Sequence, residues 1–253
     1  MRLSALPALE DNYVWLLGEG AQAVVVDPGE AAPVLALAAS GLQPQAILIT
    51  HHHRDHWAGA QELQDFWPGI SVYAPEDPRI DLDCERVGDG ATLKLSGLQI
   101  EVIAVPGHTL SHIAYLSQDH LFCGDALFSL GCGRMFEGNP AQMLDSLRRM
   151  AELPAHTRVC AGHEYTLSNA AFALAVDPTN PDLHQRHAQA LALRHSGQPT
   201  LPSTIGSERA CNPFLRCEQV AVRQSAARQL GRPPKDDSEV FAALRQWKDE
   251  FRA

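Results

Sequence analysis

The segment Thr50-His51-His52-His53-Arg54-Asp55-His56 constrains this chain more than any other. Five side chains able to bind a divalent cation fall within six residues, directly after the apolar run Ala46-Ile47-Leu48-Ile49. Such a run reads as a buried strand, so the donors emerge at a strand's C-terminal end, where open α/β layers place ligands. In an extended segment His51, His53 and Asp55 point one way, and His52 and Arg54 the other. Imidazole with carboxylate suits borderline or hard divalent metals such as zinc, iron(II) and manganese, and five donors exceed what one tetrahedral site takes from a single loop. Two ions are the expectation.

A polar surface loop with adventitious metal affinity is the competing reading, and recurrence weakens it. His108 in Val-Pro-Gly-His-Thr, Asp125 in Phe-Cys-Gly-Asp-Ala and His163 in Cys-Ala-Gly-His-Glu each follow an apolar, strand-like run and a glycine. Glycine gives the backbone freedom to turn the next side chain inward. Four strand ends then share one rim and supply seven donors: His51, His53, Asp55, His56, His108, Asp125 and His163. His52 faces away by alternation, and His184 with His187 reads as a solvated pair on a helix. His112 is placed to support the ligands from behind, and Cys123 and Cys132 read as small buried hydrophobes.

Up to about residue 165, short β-branched runs alternate with helical stretches. The predicted strands are 13–17, 23–27, 46–50, 71–74, 98–105, 113–117, 120–123 and 158–160; the predicted helices are 31–39, 57–66 and 141–153. Beyond that point the chain reads as helices over 164–176, 181–195, 217–230 and 238–251, with no convincing strand. The expectation is an α/β fold in which sheet layers are covered by helices, over residues 1–165, followed by a small all-helical domain over 166–253.

At 253 residues and 45% apolar content the chain can bury a sizeable core, which excludes a disordered or fibrous protein. Its formal charge of −10 argues against a general nucleic-acid or anionic-membrane binder, so an anionic ligand needs a local basic patch. No apolar run reaches the roughly 18 to 20 residues that span a bilayer, and Pro7 with nearby acids interrupts any signal-type stretch at the N-terminus. The six cysteines are widely spaced, with no C-x-x-C pair, and read as reduced thiols in a cytoplasmic protein. A monomer is the expectation.

The Thr-His-x-His-x-Asp-His pattern of Thr50–His56 resembles the metallo-β-lactamase superfamily at every fixed position. Asp-Asn-Tyr-Val-Trp-Leu-Leu near the start, Pro-Gly-His-Thr, Gly-Asp-Ala-Leu-Phe, Gly-Cys-Gly-Arg-Met-Phe-Glu-Gly, Ala-Gly-His-Glu-Tyr-Thr, Cys-Asn-Pro-Phe-Leu-Arg and a basic C-terminal helix are similar to its glyoxalase II family over nearly the whole chain. That resemblance implies an αββα sandwich followed by a helical domain. It implies that His51, His53 and His108 hold one metal, that Asp55, His56 and His163 hold the other, and that Asp125 bridges them. The ions would be zinc, with iron or manganese as alternatives. The implied reaction is hydrolysis of a glutathione thioester, S-D-lactoylglutathione above all, in methylglyoxal detoxification. Attack would come from a hydroxide held between the ions, with Asp55 able to orient it.

Glutathione brings two carboxylates and an ammonium. The resemblance assigns Arg134 and Tyr165 to the tripeptide, and Arg245 with Lys248 to its glycine carboxylate; the last two lie three residues apart on one helical face. Phe136 stands where some family members have tyrosine, which removes one hydroxyl contact. Two rival readings remain. A glutathione persulfide dioxygenase of the same superfamily would use a single iron, and a non-catalytic metal-binding module would show closed coordination.

Overall fold

In a computed structural model of the chain, residues 2–95 and 97–252 are described. They form two compact units built from interleaved segments. One takes the chain up to Val105, then Ser111–Gly124 and Cys160–Glu164; the other takes Pro106–Leu110, Asp125–Val159 and the chain from Tyr165 onward.

The first unit opens with β1 (Arg2–Ala8), β2 (Asn12–Glu19), β3 (Gln22–Val26), α1 (Ala32–Leu35), β4 (Gln43–Leu48), α2 (Ala60–Phe66), β5 (Ser71–Pro75) and β6 (Glu85–Val87). The strands form one sheet in that order, antiparallel from β1 to β3 and parallel from β3 to β6. A second sheet holds β7 (Thr92–Leu95), β8 (Leu98–Ala104), β9 (Ile113–Ser117) and β10 (His120–Gly124), all antiparallel, and continues past β10 onto Cys160–Ala161.

Strands covered on both faces need apolar side chains at every position, which is why Tyr13–Leu17 within β2 and Ala46–Leu48 at the end of β4 read as unbroken apolar runs. Val14, Leu16, Val25, Ile47 and Ile49 pack with Ala60 and Leu63 of α2. The alternate side chains face the second sheet. There Trp15 meets Phe122 edge-on with ring centroids 6.4 Å apart, and its indole N–H donates to the Ala161 carbonyl at 2.9 Å. Tyr115 of β9 donates to the Ile49 carbonyl at 3.0 Å. Truncating a side chain buried like Ile47 to alanine costs about 2–5 kcal/mol.

The second unit contains the hairpin β11 (Leu127–Phe128) and β12 (Gly131–Cys132), α3 (Pro140–Ala151) and β13 (Arg158–Ala161), of which only Arg158 and Val159 belong to this unit. It continues with α4 (Thr166–Val176), α5 (Pro181–His195), β14 (Ser203–Thr204), α6 (Ile205–Cys211), α7 (Val220–Leu230) and α8 (Asp237–Glu250). Arg158 and Val159 pair with β14. Helix starts follow local chemistry: Asn139 caps α3 in a reciprocal box with Gln142 ahead of Pro140, Asn180 caps α5 ahead of Pro181, and Asp236 caps α8. Phe214 lies 5.9 Å from Phe172 and 5.5 Å from Phe241, ring to ring, at the centre of this helical core.

The fold departs from the sequence expectation in three places. The segment after His53 is not extended, because Arg54–His56 is a turn of 3-10 helix, so strict alternation stops before Asp55. The helix expected from Trp57 begins at Ala60. The tail is not free of strand, since β14 pairs there and α6 precedes the 3-10 turn Pro213–Leu215. No helix among the described residues is long and apolar enough to cross a membrane.

Candidate metal centre and ligand pocket

In the first unit, His51, His53, Asp55, His56 and His163 gather where β4 ends, with His51, His56 and His163 buried. Each histidine has two nitrogens, and the partner of one decides what the other can do. Thr50 Oγ1 donates to Asp27 Oδ2 at 2.7 Å and therefore accepts from His51 Nδ1 at 3.0 Å. The same Asp27 oxygen accepts from His56 Nδ1 at 3.0 Å, and Asp11 accepts from His163 Nδ1 at 2.7 Å. All three rings thus carry the proton on Nδ1 and keep the Nε2 lone pair for another partner. His53 turns Nδ1 to within 3.1 Å of His51 Nε2. Asp55 Oδ2 lies 3.5 Å from His56 Nε2 and 3.4 Å from His163 Nε2, while Asn12 Nδ2 donates to Asp55 Oδ2 at 3.1 Å.

Backbone conformation sets this arrangement. Gly124, with φ 47°, ends β10, and a β-carbon there would fall 2.3 Å from Thr50 Oγ1, which relays Asp27 to His51. Asp27 itself is left-handed at φ 51°, a conformation unusual for a non-glycine residue. His112 stacks on His51 with centroids 4.6 Å apart and planes 13° apart. His52 points elsewhere, its Nδ1 3.5 Å from Asp77, whose carboxylate Arg79 and Ser111 also engage; those hydrogen bonds hold its pKa far below the usual carboxylate range.

In the second unit, His108 Nε2 stands 3.5 Å from Asp125 Oδ2, and His108 Nδ1 donates to the Arg134 carbonyl at 2.7 Å. Its Nε2 is therefore also the lone-pair nitrogen. A cavity of about 370 Å³ opens beside this pair, and Arg134, Tyr165, Arg245 and Lys248 all line it. Arg245 is buried, donates from Nη1 to the Cys132 carbonyl at 2.9 Å and lies over the Phe214 ring. Lys248 donates to the Ser168 carbonyl at 3.2 Å, and burial, with help from the Arg245 charge, pulls its pKa down to about 8. The same burial pushes the Cys132 thiol up to about 11, so it packs as a hydrophobe rather than reacting. A larger hollow of about 580 Å³ beside β1, β2 and β3 has Arg2 as its only charged lining residue and no metal donor.

The donor set fits a divalent cation. Imidazoles whose Nδ1–H groups are tied to carboxylates, a hydroxyl or a carbonyl are oriented as metal-binding histidines are, with the basic nitrogen presented. Sequence reasoning missed Asp27 and Asp11. Asp27 carries the same signal as the other candidate donors, an apolar strand ending in a carboxylate beside glycine in Val-Val-Val-Asp-Pro-Gly, but its carboxylate accepts from Thr50 and His56. The glycines before the donors differ: Gly107 and Gly124 have positive φ, and Gly162 before His163 does not.

The chain matches the description "Metallo-beta-lactamase superfamily" over residues 9–163 and "Hydroxyacylglutathione hydrolase C-terminus" over residues 164–251. Hydroxyacylglutathione hydrolase of Xylella fastidiosa (strain M12) is 54% identical over 252 residues, covering 99% of this chain and 98% of its own. The protein of the same name from Xanthomonas axonopodis pv. citri (strain 306) is 54% identical over 255 residues and covered in full. The crystal structure of TTHA1623 in a di-iron-bound form superposes with a TM-score of 0.60 at 25% identity, covering 85% of this chain and 100% of that one.

Proposed function

The chain belongs to the hydroxyacylglutathione hydrolase (glyoxalase II) family of the metallo-β-lactamase superfamily, a thioester hydrolase of hydroxyacylglutathione, and on that premise we propose S-D-lactoylglutathione as its chief substrate. The products are glutathione and D-lactate, in the second step of methylglyoxal detoxification. The observation that carries this reading is one cavity lined by His108 and Asp125 together with Arg134, Tyr165, Arg245 and Lys248. Donors suited to a metal and cations suited to a carboxylate share its wall.

We assign His51, His53 and His108 to one divalent ion, Asp55, His56 and His163 to a second, and Asp125 to both, with zinc as the metal. When bound, such a pair polarises a carbonyl and acidifies water towards neutral pH. The chain's residues do the rest. Asp27 and Asp11 fix the histidine tautomers, and Asn12 holds the Asp55 carboxylate that orients the attacking water. Arg245 and Lys248 take the glycine carboxylate, and Arg134 and Tyr165 take the peptide. A thiolate leaves without a general acid, because it is a stable anion. In this reading residues 1–165 supply every metal donor, and the helical domain over 166–253 contributes Arg245 and Lys248 to glutathione binding. The reading extends to a cytoplasmic monomer whose cysteines stay reduced.

The test measures metal content and turnover on one preparation. Two ions per chain, loss of thioester absorbance with S-D-lactoylglutathione and release of one thiol per turnover are expected. Iron-dependent oxygen uptake with glutathione persulfide, without thioester cleavage, would overturn the assignment, and so would a ceiling of one ion per chain.

A further inference from the structure

The cavity that gathers Arg134, Arg245 and Lys248 also contains an acid, Asp249. Its Oδ1 accepts from Arg245 Nη2 at 3.0 Å and from Arg134 Nε at 3.1 Å, so one carboxylate oxygen bridges both arginines. Nothing in the helix favours a negative charge there. Asp249 sits in the last turn of α8, at the negative end of the helix dipole, and its pairing with Arg245 runs in the weaker order, cation before anion at i,i+4.

The two arginines depend on Asp249 to different degrees. Arg245 is 6% exposed and fixed by the Cys132 carbonyl and the Phe214 ring, and its buried Nε has no acceptor among the described residues. A buried guanidinium N–H without an acceptor leaves capacity for one more carboxylate oxygen. The side chains of Arg134 and Asp249 are 55% and 35% exposed, so each can turn aside.

We propose that Asp249 is a resident carboxylate that holds the seat of the ligand's glycine carboxylate and exchanges with it. The inference rests on the glutathione-thioester reading above. Two carboxylates on one arginine pair repel, so an arriving ligand carboxylate displaces Asp249, and Asp249 re-forms its bridge as product leaves. The residue thereby sets affinity rather than chemistry: it weakens binding of substrate and product alike and speeds release of glutathione.

Calorimetric titration of the metal-loaded protein and of Asp249→Asn, at fixed ionic strength, separates exchange from bracing. The probes are glutathione and its glycine ethyl ester, which lacks the carboxylate in question. Asp249→Asn is expected to bind glutathione about three- to tenfold more tightly, equivalent to about 0.7–1.4 kcal/mol, with a much smaller gain for the ester. A gain of that size matches the loss of one exposed ion pair, with Arg134, and one part-buried pair, with Arg245. Asp249→Ser, which removes the bridge without an amide, is expected to shift the same way. Weaker glutathione binding by both variants would overturn the proposal and make Asp249 a brace for Arg134. Equal tightening towards both probes would also overturn it, as a general charge effect, and so would no change. Wild-type protein that cleaves the thioester while the variants bind more weakly defeats this inference alone; wild-type protein that neither binds glutathione nor cleaves the thioester defeats the functional reading as well.

Discussion

Asp27 anchors two of the candidate metal donors, His56 directly and His51 through Thr50. Its Oδ2 accepts from Thr50 Oγ1, which in turn accepts from His51, and also directly from His56. Asp27→Ala removes both anchors and is expected to weaken metal binding about 10- to 100-fold, read by chelator competition on folded protein. Lys248 supplies a pH dependence. With its pKa lowered to about 8, it is charged below that pH and neutral above it. The KM for S-D-lactoylglutathione should therefore rise as pH passes about 8, and Lys248→Arg should keep it flat. The sign for stability is the reverse. Between about pH 8 and the ordinary lysine value of 10.5 the unfolded chain keeps a proton that the folded chain has shed, so this group's destabilising effect fades as pH rises. The seven candidate donors stand out by residue type, because ligating side chains cluster after Ile49 and recur beyond glycine-ended apolar runs at His108, Asp125 and His163. Asp27 and Asp11 do not, since a carboxylate that orients a histidine looks in sequence like one that binds metal.

At the scale of elements, the turn between β11 and β12 shows how the helices hold the pocket. Leu130, left-handed at φ 61°, donates its N–H to Glu208 Oε2 at 2.7 Å. Asn212 Nδ2 reaches the Phe128 and Gly131 carbonyls, and Asn169 donates to the Ser129 carbonyl. This turn lies between Asp125 and Arg134 in the chain, so its placement governs both. Burial raises the Glu208 pKa. From about 4.5 upward the folded protein therefore holds a proton that the unfolded chain has lost, and stability falls as pH rises towards the folded value. Glu208→Gln, which keeps an acceptor for Leu130, should abolish that slope in urea titrations at several pH values. Asn212→Ala leaves two buried carbonyls without this donor and should cost about 1–3 kcal/mol for each. The long elements, such as α5 over Pro181–His195, were legible from apolar spacing and Pro or Asn start signals. Two-residue strands such as β14 carry no period to read, and the 3-10 turn at Arg54–His56 is set by contacts that alternation does not encode.

At the scale of the molecule, a charge of −10 surrounds a cavity with Arg134, Arg245 and Lys248 in its wall. The attraction felt by an anionic substrate is therefore local and short-ranged. Raising salt from about 50 to 500 mM should raise the KM of the glutathione thioester, while that of a small thioester without the tripeptide stays level. The path of the chain matters more. It passes from one compact unit to the other five times, and two of those passages deliver His108 and Asp125 to the second unit while the other five donors remain in the first. Neither unit is a continuous stretch that could be cut out, so a fragment ending at residue 165 strips α3 of the helices it packs against and should not melt cooperatively. On the proposed ligand assignment, a chain threaded in this way links metal retention to the integrity of its helices, since His108 and Asp125 belong to the unit that contains α3 to α8. Heating in the presence of a zinc-responsive dye should release metal and lose helical ellipticity at one temperature, and metal lost well before the helices would show that the threading transmits nothing.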